Sequence, residues 1–276
     1  MPVLSPVDVR TLLAEHDLHP SRALGQNFLV DPNTARRIAR LAEVGPGDHV
    51  LEIGPGLGSL TLALAAAGAE VRALELDRYL LPALASVVGD VPGVTIEQGD
   101  ALAYDYTIGL GARRWVCVSN LPYNVATPVV LRLLDEAPRV ERLLVMVQRE
   151  VGERLAAGPG SRAYGAVSVR VAYHARARVV GAVPPTVFLP RPKVESALVR
   201  IDRLAAPAVD VDDPDAMFGL VRAGFAQRRK MLRRSLRPAL GGRVDAVLVG
   251  AGIDPSLRAE ALGIEQWAAL AREAAS

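Results

Sequence analysis

Apolar segments of strand length alternate with helical segments through the first half of the chain. Strands are predicted at 49–53, 71–76, 94–97, 115–119 and 142–147. Helices are predicted between them at 59–67, 78–88 and 127–136, and the N-cap signals Ser5-Pro6 and Asp31-Pro32 predict two more at 6–15 and 32–43. This alternation predicts an α/β fold with a doubly wound parallel sheet, which binds ligands at the carboxyl ends of its strands.

The pattern changes in the last third of the chain. A late strand is predicted over 194–201, and a polar connector that contains proline follows at 204–214. From Pro214 onward the sequence indicates helices, which are separated by glycine and proline pairs. We therefore predict two domains, an α/β catalytic domain over 1–205 and a small helical domain over 206–276.

The amino-acid composition argues against several classes of protein. The chain has 276 residues, of which 50% are hydrophobic and 22% are charged, a balance typical of globular proteins. Its longest apolar run ends at Glu70, short of the roughly 18–20 residues that a membrane span needs. The single cysteine, Cys117, excludes an internal disulfide framework, and four scattered histidines disfavour a metal enzyme. We expect a metal-independent protein of a reducing compartment, with no membrane partner.

A glycine-rich turn follows the first predicted strand. The segment from Glu52 to Gly58 reads E-I-G-P-G-L-G and leads directly into a helix. Glycine is needed where the backbone turns tightly and where a ligand lies against bare main chain. Dinucleotide sites favour G-x-G-x-x-G, whereas here the third glycine comes one place earlier, a variant typical of S-adenosylmethionine sites. The turn predicts a site for this cofactor, the alternative being a plain tight turn.

Acidic residues follow the next two strands. Glu75 lies 21 residues after Gly54, where a carboxylate can accept hydrogen bonds from both hydroxyls of a ribose. Asp100 follows the third strand and can accept a hydrogen bond from the exocyclic amine of an adenine ring. Each can also be an ordinary surface acid, but two such acids beside the glycine turn favour a nucleoside cofactor.

The fourth strand ends in the most informative segment, Asn120-Leu121-Pro122-Tyr123. The exocyclic amine of adenine is a poor nucleophile because its lone pair is delocalised into the ring. Two acceptors, the Asn120 side-chain oxygen and the Leu121 carbonyl, can bind the amine hydrogens and direct the lone pair at a methyl group. Tyr123 offers a ring on which an extruded base can stack. The segment predicts methyl transfer to adenine, the alternative being an Asn-Pro turn with a buried tyrosine.

Basic residues cluster near the C-terminus although the whole chain is almost neutral, with 32 basic and 30 acidic residues. Eight bases and no acid lie between 222 and 243, and such clustering indicates contacts with phosphates. The apolar residues Phe225, Met231, Leu232 and Leu236 recur at near-helical spacing, so we expect one helix face to pack while the other meets RNA. The alternative is a solvated helix face. The predicted RNA-binding residues are Arg222, Arg228, Arg229, Lys230, Arg233 and Arg234.

Together with three further segments, these motifs resemble the small-subunit rRNA adenine dimethyltransferases, the KsgA/RsmA family. The matching segments are 25–29 (G-Q-N-F-L), 52–58, 120–124, 148–151 (Q-R-E-V) and 188–196 (F-L-P-R-P-K-V-E-S). The resemblance implies a Rossmann-like, S-adenosyl-L-methionine-dependent methyltransferase domain with a small C-terminal α-helical domain. It also implies dimethylation of N6 of two adjacent adenines in a hairpin near the 3′ end of 16S rRNA, and a link to small-subunit biogenesis.

The resemblance further implies roles for single residues. By it, Asn27 and Leu29 line the cofactor through a loop that can act as a lid, and Gly54 contacts the methionine part. Phe188 would stack on the target adenine opposite Tyr123. The implied catalytic residues are Asn120, Leu121, Tyr123 and Phe188, and the implied cofactor-binding residues are Asn27, Leu29, Gly54, Glu75, Asp100 and Asn120. The implied partner is 16S rRNA in the small ribosomal subunit or its precursor, and the protein is expected to be a cytoplasmic monomer.

Other functions fit the sequence less well. A large-subunit rRNA methylase usually differs in its glycine turn and lid, and a DNA adenine methylase would carry Asp-Pro-Pro-Tyr. A dehydrogenase is disfavoured by the glycine spacing. A further alternative is an assembly or transcription factor that keeps a methylase fold without methylase activity. The predicted site residues are all present, which favours an active enzyme. They are Glu75, Asp100, Asn120 and Tyr123.

Overall fold

The structure, a computed structural model, describes residues 3–21 and 23–276. The chain divides into two compact units, unit 1 (Met1–Gly152 and Arg178–Arg203) and unit 2 (Glu153–Ala177 and Leu204–Ser276). The boundary predicted near 205 falls close to the last of the three points where the chain passes from one unit to the other. The prediction placed the segment 153–177 in the catalytic domain, whereas in the structure this segment groups with the C-terminal helices.

A seven-stranded sheet, most of whose residues belong to unit 1, forms the framework. The strands are β1 (Phe28–Leu29), β2 (His49–Ile53), β3 (Glu70–Glu75), β4 (Val94–Gln98), β5 (Trp115–Asn120), β6 (Val140–Gln148), β7 (Ala175–Val183), β8 (Phe188–Leu189) and β9 (Ser196–Arg203). Their order in the sheet is β4-β3-β2-β5-β6-β9-β7, while β1 and β8 form a separate two-stranded sheet. All six predicted strands are present within two residues of their predicted ends.

The strand pairing fixes where a ligand can bind. The pairs β2–β3, β3–β4, β2–β5 and β5–β6 are parallel, and β9 runs antiparallel to β6. The strand β2 lies between β3 and β5. The chain adds β3 and β4 on one side of β2 and then β5 and β6 on the other, so the strand order reverses beside β2, which is the topological switch point of the sheet. Ligands of such sheets bind outside the carboxyl ends of the strands at the switch point. In this chain those ends are Ile53, Glu75 and Asn120.

The helices begin and end close to the predicted positions in the first half of the chain. They are α1 (Pro6–Glu15), α2 (Pro32–Ala42), α3 (Ser59–Ala66), α4 (Leu81–Val88), α5 (Tyr106–Leu110), α6 (Ala126–Glu136), α7 (Arg149–Leu155), α8 (Ala166–His174), α9 (Pro214–Ala226), α10 (Leu232–Ser235), α11 (Arg237–Leu240), α12 (Val244–Gly250) and α13 (Ile264–Ala275). Ser5 caps α1 through a bond from the Asp8 amide, and Asp31 caps α2 through a bond from the Thr34 amide.

Each unit has its own hydrophobic core. In unit 1 the helices α2 and α3 and the strands β2, β3 and β6 contribute apolar side chains to one large cluster, which includes Phe188. In unit 2 the cluster surrounds Trp267, which is fully buried. Over residues 3–21 and 23–276, no helix has both the length and the apolar character to cross a bilayer.

Candidate active site

A cavity lies at the carboxyl edge of the sheet in unit 1. The loop 24–29, the turn and helix start at 54–60, the residues after β3 and the segment 120–125 form its walls. The sequence motifs of the glycine turn, the lid loop and the Asn-Leu-Pro-Tyr segment therefore share one cavity. This is the edge at which the switch point of the sheet places a ligand.

The glycine turn leaves main chain exposed to the cavity. Gly54, Gly56 and Gly58 have φ values of +69°, +59° and +88°, a backbone region that disfavours any residue with a side chain. A Cβ added to Gly56 would lie 3.0 Å from the ring of Phe28, and one added to Gly54 would lie 3.3 Å from Pro122. Both the positive φ values and the close neighbours require glycine in this turn. Because its main chain lines the cavity, a cofactor can lie directly on the backbone.

Glu75 ties the end of β3 to the glycine turn. Its Oε2 accepts a hydrogen bond from the Gly56 amide at 3.1 Å, and its Oε1 accepts one from the Asp77 amide at 2.9 Å. The side chain lines the cavity and is only 6% exposed. Burial raises the pKa of Glu75, while the backbone amides oppose that shift. A carboxylate held in this way has acceptor capacity left for a ribose hydroxyl.

A second buried acid, Glu52, also lines the cavity, and the sequence analysis assigned it no role. It is 1% exposed, and the Thr61 hydroxyl donates to its Oε2 at 2.6 Å. Burial raises its pKa to about 8, so the carboxyl group is mostly protonated at neutral pH. The sequence could have identified Glu52 as a buried acid, because it lies within a strand between the apolar residues Leu51 and Ile53.

Asn120 is fixed in one orientation at the end of β5. Its Nδ2 donates a hydrogen bond to the Asn27 carbonyl at 3.1 Å, which leaves the Oδ1 oxygen uninvolved in that contact. The neighbouring Leu121 is held by a bond from its amide to the Met146 carbonyl on β6. Asn120 and Leu121 both line the cavity, so the two acceptors predicted for the target amine come from adjacent, anchored positions.

The lid loop is bound to the edge of the sheet. Gln26 donates from Nε2 to Asp77 at 2.8 Å, and Asn27 donates from Nδ2 to the Gly25 carbonyl at 3.0 Å. Asn124 donates from Nδ2 to the Ala23 carbonyl at 3.0 Å. The bonds of Gln26 and Asn124 connect the segment 23–29 to the residues that follow β3 and β5, and the bond of Asn27 is internal to that segment. Residues 24–29 form one wall of the cavity.

Tyr123 lines the cavity with its ring half-buried. Its hydroxyl shares a 2.7 Å hydrogen bond with Ser196, and burial raises the pKa of Tyr123. The hydroxyl is therefore protonated at neutral pH. The stacking role predicted for Tyr123 therefore concerns its ring and not its oxygen.

Two predicted site residues are not among the described residues that line the cavity. Phe188 is 4% exposed because β8 pairs with β1, which places it opposite Leu29 and within the core of unit 1. Asp100 is exposed, and its Oδ1 accepts a bond from the Leu102 amide at 2.8 Å. Their assigned contacts with the target base and the cofactor adenine stay predictions. The cavity does bring together Asn27, Leu29, Gly54, Glu75, Asn120, Leu121 and Tyr123.

The basic cluster of unit 2 does not lie on one helix, and that expectation was wrong. The helix α9 ends at Ala226, a turn follows over 227–231, and the shorter helices α10 and α11 continue the segment. Acids from later in the chain neutralise part of the cluster, since Arg228 pairs with Glu260 at 3.0 Å and Arg233 approaches Asp245 at 3.7 Å. Among the other predicted RNA-binding residues, Arg222, Arg229, Lys230 and Arg234 are exposed, as are Arg237 and Arg243 of the same cluster. Met231, expected on the packed face, is 37% exposed.

Within the part of the chain that the structure describes, no group of three or more His, Cys, Asp or Glu side chains is arranged to hold a metal ion.

Comparisons with known proteins give a family for these features. A family model described as "Ribosomal RNA adenine dimethylase" matches residues 19–276. The chain is similar to ribosomal RNA small subunit methyltransferase A of Thermobifida fusca, at 48% identity over 98% of this chain and 95% of the relative. It is also similar to the protein of the same name from Moorella thermoacetica, at 45% identity over 98% of each chain.

Solved structures support the same fold. The 23S rRNA methyltransferase ErmE superposes with a TM-score of 0.69 at 27% identity, over 91% of this chain and all of that one. A dimethyladenosine transferase from Plasmodium falciparum superposes with a TM-score of 0.71 over 88% of this chain and 95% of that one, and at 22% identity it supports the fold alone. The predicted Rossmann-like methyltransferase fold with a C-terminal helical region is confirmed.

Proposed function

The chain belongs to the ribosomal RNA adenine dimethylase family, and we propose that it dimethylates N6 of two adjacent adenines in a hairpin near the 3′ end of 16S rRNA. The identities of 45% and 48% to small-subunit enzymes, against 27% to a 23S rRNA methyltransferase, support the small subunit as the source of the substrate. We further propose that the protein acts as a cytoplasmic monomer on the small ribosomal subunit or its precursor, and that the reaction is linked to the biogenesis of that subunit.

The methyl donor is S-adenosyl-L-methionine, which supplies an electrophilic methyl group. The residues that would hold it are Gly54 and Gly56, whose main chain lines the cavity, and Glu75, whose carboxylate faces the same cavity. Asn27 and Leu29 close the cavity from the lid loop. These residues keep water from the reacting atoms and fix the orientation of the donor, which is where much of the rate enhancement of such a transfer arises.

The observation that carries the proposal is the anchored amide of Asn120. Because its nitrogen is bonded to the Asn27 carbonyl, its oxygen is the atom left to accept a hydrogen bond from the amine of the target adenine. The Leu121 carbonyl, one residue on, supplies the second acceptor. Two fixed acceptors favour a pyramidal nitrogen with its lone pair directed away from the ring. The neutral amine loses its proton only after it gains the methyl group, so the site needs no strong base.

The basic surface of unit 2 supports the choice of RNA as substrate. Exposed arginines carry permanent charge and bond to phosphates in a bidentate manner. We propose that Arg222, Arg229, Lys230 and Arg234 make most of these contacts. Arg228 and Arg233 contribute less, because Glu260 and Asp245 already balance their charges.

The experiment that tests this function is mass spectrometry of ribosomal RNA after incubation with the protein and S-adenosylmethionine. The substrate is the 30S subunit from cells that lack the modification, and 50S subunits are run in parallel. We expect dimethyladenosine in 16S rRNA with the wild-type chain and with Asn33→Ala, a control asparagine on α2 outside the cavity. Asn120→Ala should lose about 10²-fold or more in rate, the usual effect of removing one preorganised group, and should bind RNA normally.

Two results would contradict the proposal in different ways. Methylation of 23S rRNA in place of 16S rRNA would assign the chain to the large subunit. Full activity of Asn120→Ala would remove Asn120 from the chemistry while leaving the choice of RNA intact.

A further inference from the structure

A buried pair of hydroxyl groups lies behind the cavity. The Tyr123 hydroxyl and the Ser196 hydroxyl are 2.7 Å apart, within the range of a good O–H···O hydrogen bond. Ser196 is only 1% exposed and is not among the described residues that line the cavity, whereas Tyr123 is. The bond therefore joins a residue of the site to one behind it.

The position of Ser196 is set by the sheet. It is the first residue of β9, and it lies opposite Gln148 in the antiparallel pairing with β6. The same β6 pairs with β5, where Met146 lies opposite Asn120. Ser196 and Asn120 are therefore held at one edge of a continuous hydrogen-bonded ladder, so their separation is fixed by backbone bonds.

Tyr123 is not held in place by strand pairing. It lies in the turn between β5 and α6, outside both elements. A tyrosine has two side-chain dihedrals, and a turn residue constrains them less than a packed strand does. The hydrogen bond to Ser196 anchors the far end of the ring to the sheet, and thereby fixes the plane on which a base would stack.

The chemistry makes the angle of that plane matter. Transfer requires the lone pair of the amine to point at the methyl group, and small misplacements of reacting atoms cost rate. A tyrosine hydroxyl is protonated at neutral pH and burial raises the pKa of Tyr123 further, so its oxygen is not a base for the reaction. Orientation of the ring is the role left for the hydroxyl.

We propose that Ser196 is a positioning residue for methyl transfer, whose hydroxyl holds the ring of Tyr123 at the angle that aligns the target base with the donor. The proposal rests on the proposed function, in which Tyr123 stacks on that base. It extends the site to a residue that touches neither the donor nor the substrate.

A double-mutant cycle tests this role. Single-turnover rates of adenine methylation on 30S subunits are measured for the wild-type chain, Tyr123→Phe, Ser196→Ala and the double variant, with saturating donor and subunit. Each single variant should be slower by about two- to tenfold, the range for loss of one neutral hydrogen bond. The double variant should be no slower than either single variant, since all three lack the same bond. Dissociation constants for donor and subunit should not change.

A matched control separates positioning from general weakening of the fold. Ser168→Ala removes another serine hydroxyl that is 1% exposed, from α8 in unit 2, and should keep the wild-type rate. If Ser196→Ala fails to fold, Tyr123→Phe decides alone, because it keeps the ring and lacks only the hydroxyl. A slower Tyr123→Phe then supports the proposal.

The proposal is overturned if Tyr123→Phe reacts at the wild-type rate, or if the two single effects multiply in the double variant. In both cases the wild-type chain still methylates 16S rRNA, and the proposed function stands. A wild-type chain that transfers no methyl group to the subunit would instead refute the proposed function, and the positioning role with it.

Discussion

Replacing Glu52 by glutamine should make the stability of unit 1 less dependent on pH. The carboxyl group is 1% exposed and has one short hydrogen bond, from the Thr61 hydroxyl. Burial raises its pKa from an ordinary 4.5 to about 8. The folded state therefore holds this proton more tightly than the unfolded state does. The stability that comes from the neutral carboxyl group is complete below pH 4.5 and is lost as the pH rises toward 8.

The size of the effect follows from the linkage between proton binding and folding. Each tenfold change in proton affinity corresponds to about 1.4 kcal/mol, so the full rise in pKa corresponds to about 5 kcal/mol. Between pH 5 and pH 8 the wild-type protein should lose about 3 to 4 kcal/mol that Glu52→Gln does not lose. Glutamine has nearly the same shape and can still accept the bond from Thr61, so the variant removes the titration and keeps the packing.

Urea unfolding at pH 5, 6, 7 and 8 measures this difference. Trp115 lies in unit 1 and Trp267 in unit 2, so a Trp267→Phe background lets fluorescence report unit 1 alone. Glu43→Gln is the control, because the hydrogen bond from Arg200 lowers the pKa of Glu43 and keeps it ionised over this pH range. The reasoning would be refuted if the free energy of unfolding changed with pH in the same way for the Glu52→Gln variant and its parent. That result would mean that Glu52 does not titrate between pH 5 and pH 8.

Three further substitutions test other parts of the account. Gly56→Ala should weaken binding of S-adenosylhomocysteine in calorimetry by about 1–3 kcal/mol, the usual cost of overpacking, because the added Cβ would lie 3.0 Å from Phe28 and displace the turn that lines the cavity. Gly47→Ala is the control, because Gly47 also has a positive φ, +89°, but has open space around it and does not line the cavity, so this variant should bind normally. Phe188→Ala should destabilise the fold by about 3–5 kcal/mol in urea, the usual cost of a buried phenylalanine; a slower reaction at unchanged stability would instead support the stacking role. Replacing Arg229 and Arg234 by alanine should reduce the slope of log K against log salt by about 0.7 to 0.9 per lost phosphate contact, and an unchanged slope would place the RNA elsewhere.

The strands of the catalytic unit were predictable because they are short, apolar and separated by clear boundaries. Of the elements that were not predicted, which also include β1, β8, α5 and α7, the helix α8 and the strand β7 were missed for a clear physical reason. The helix α8 runs directly into β7 at His174 and Ala175, with no glycine or proline between them to mark the change. The strand β7 also alternates arginine with small apolar residues, a weak pattern for an edge position. The break after α9 was missed likewise, since the turn over 227–231 contains neither glycine nor proline.

The site was predictable where a single segment carries its own chemistry, as the glycine turn and the segment from Asn120 to Tyr123 do. It was not predictable where burial depends on pairing between distant segments. Phe188 is buried because β8 pairs with β1, where its partner Leu29 is 159 residues away in sequence. The bond between Tyr123 and Ser196 spans 73 residues, and the acids that balance Arg228 and Arg233 come from later helices. Such contacts follow from the tertiary structure and not from local pattern.

The most direct measurement is a crystal structure of the protein with S-adenosylhomocysteine, the demethylated donor. We predict that its sulfur lies in the cavity beside Asn120, with its amino acid part on the turn at Gly54 and its ribose at Glu75. The assignment of this cavity to methyl transfer would be contradicted if S-adenosylhomocysteine bound away from Asn120 while the Asn120 side-chain amide still donated to the Asn27 carbonyl.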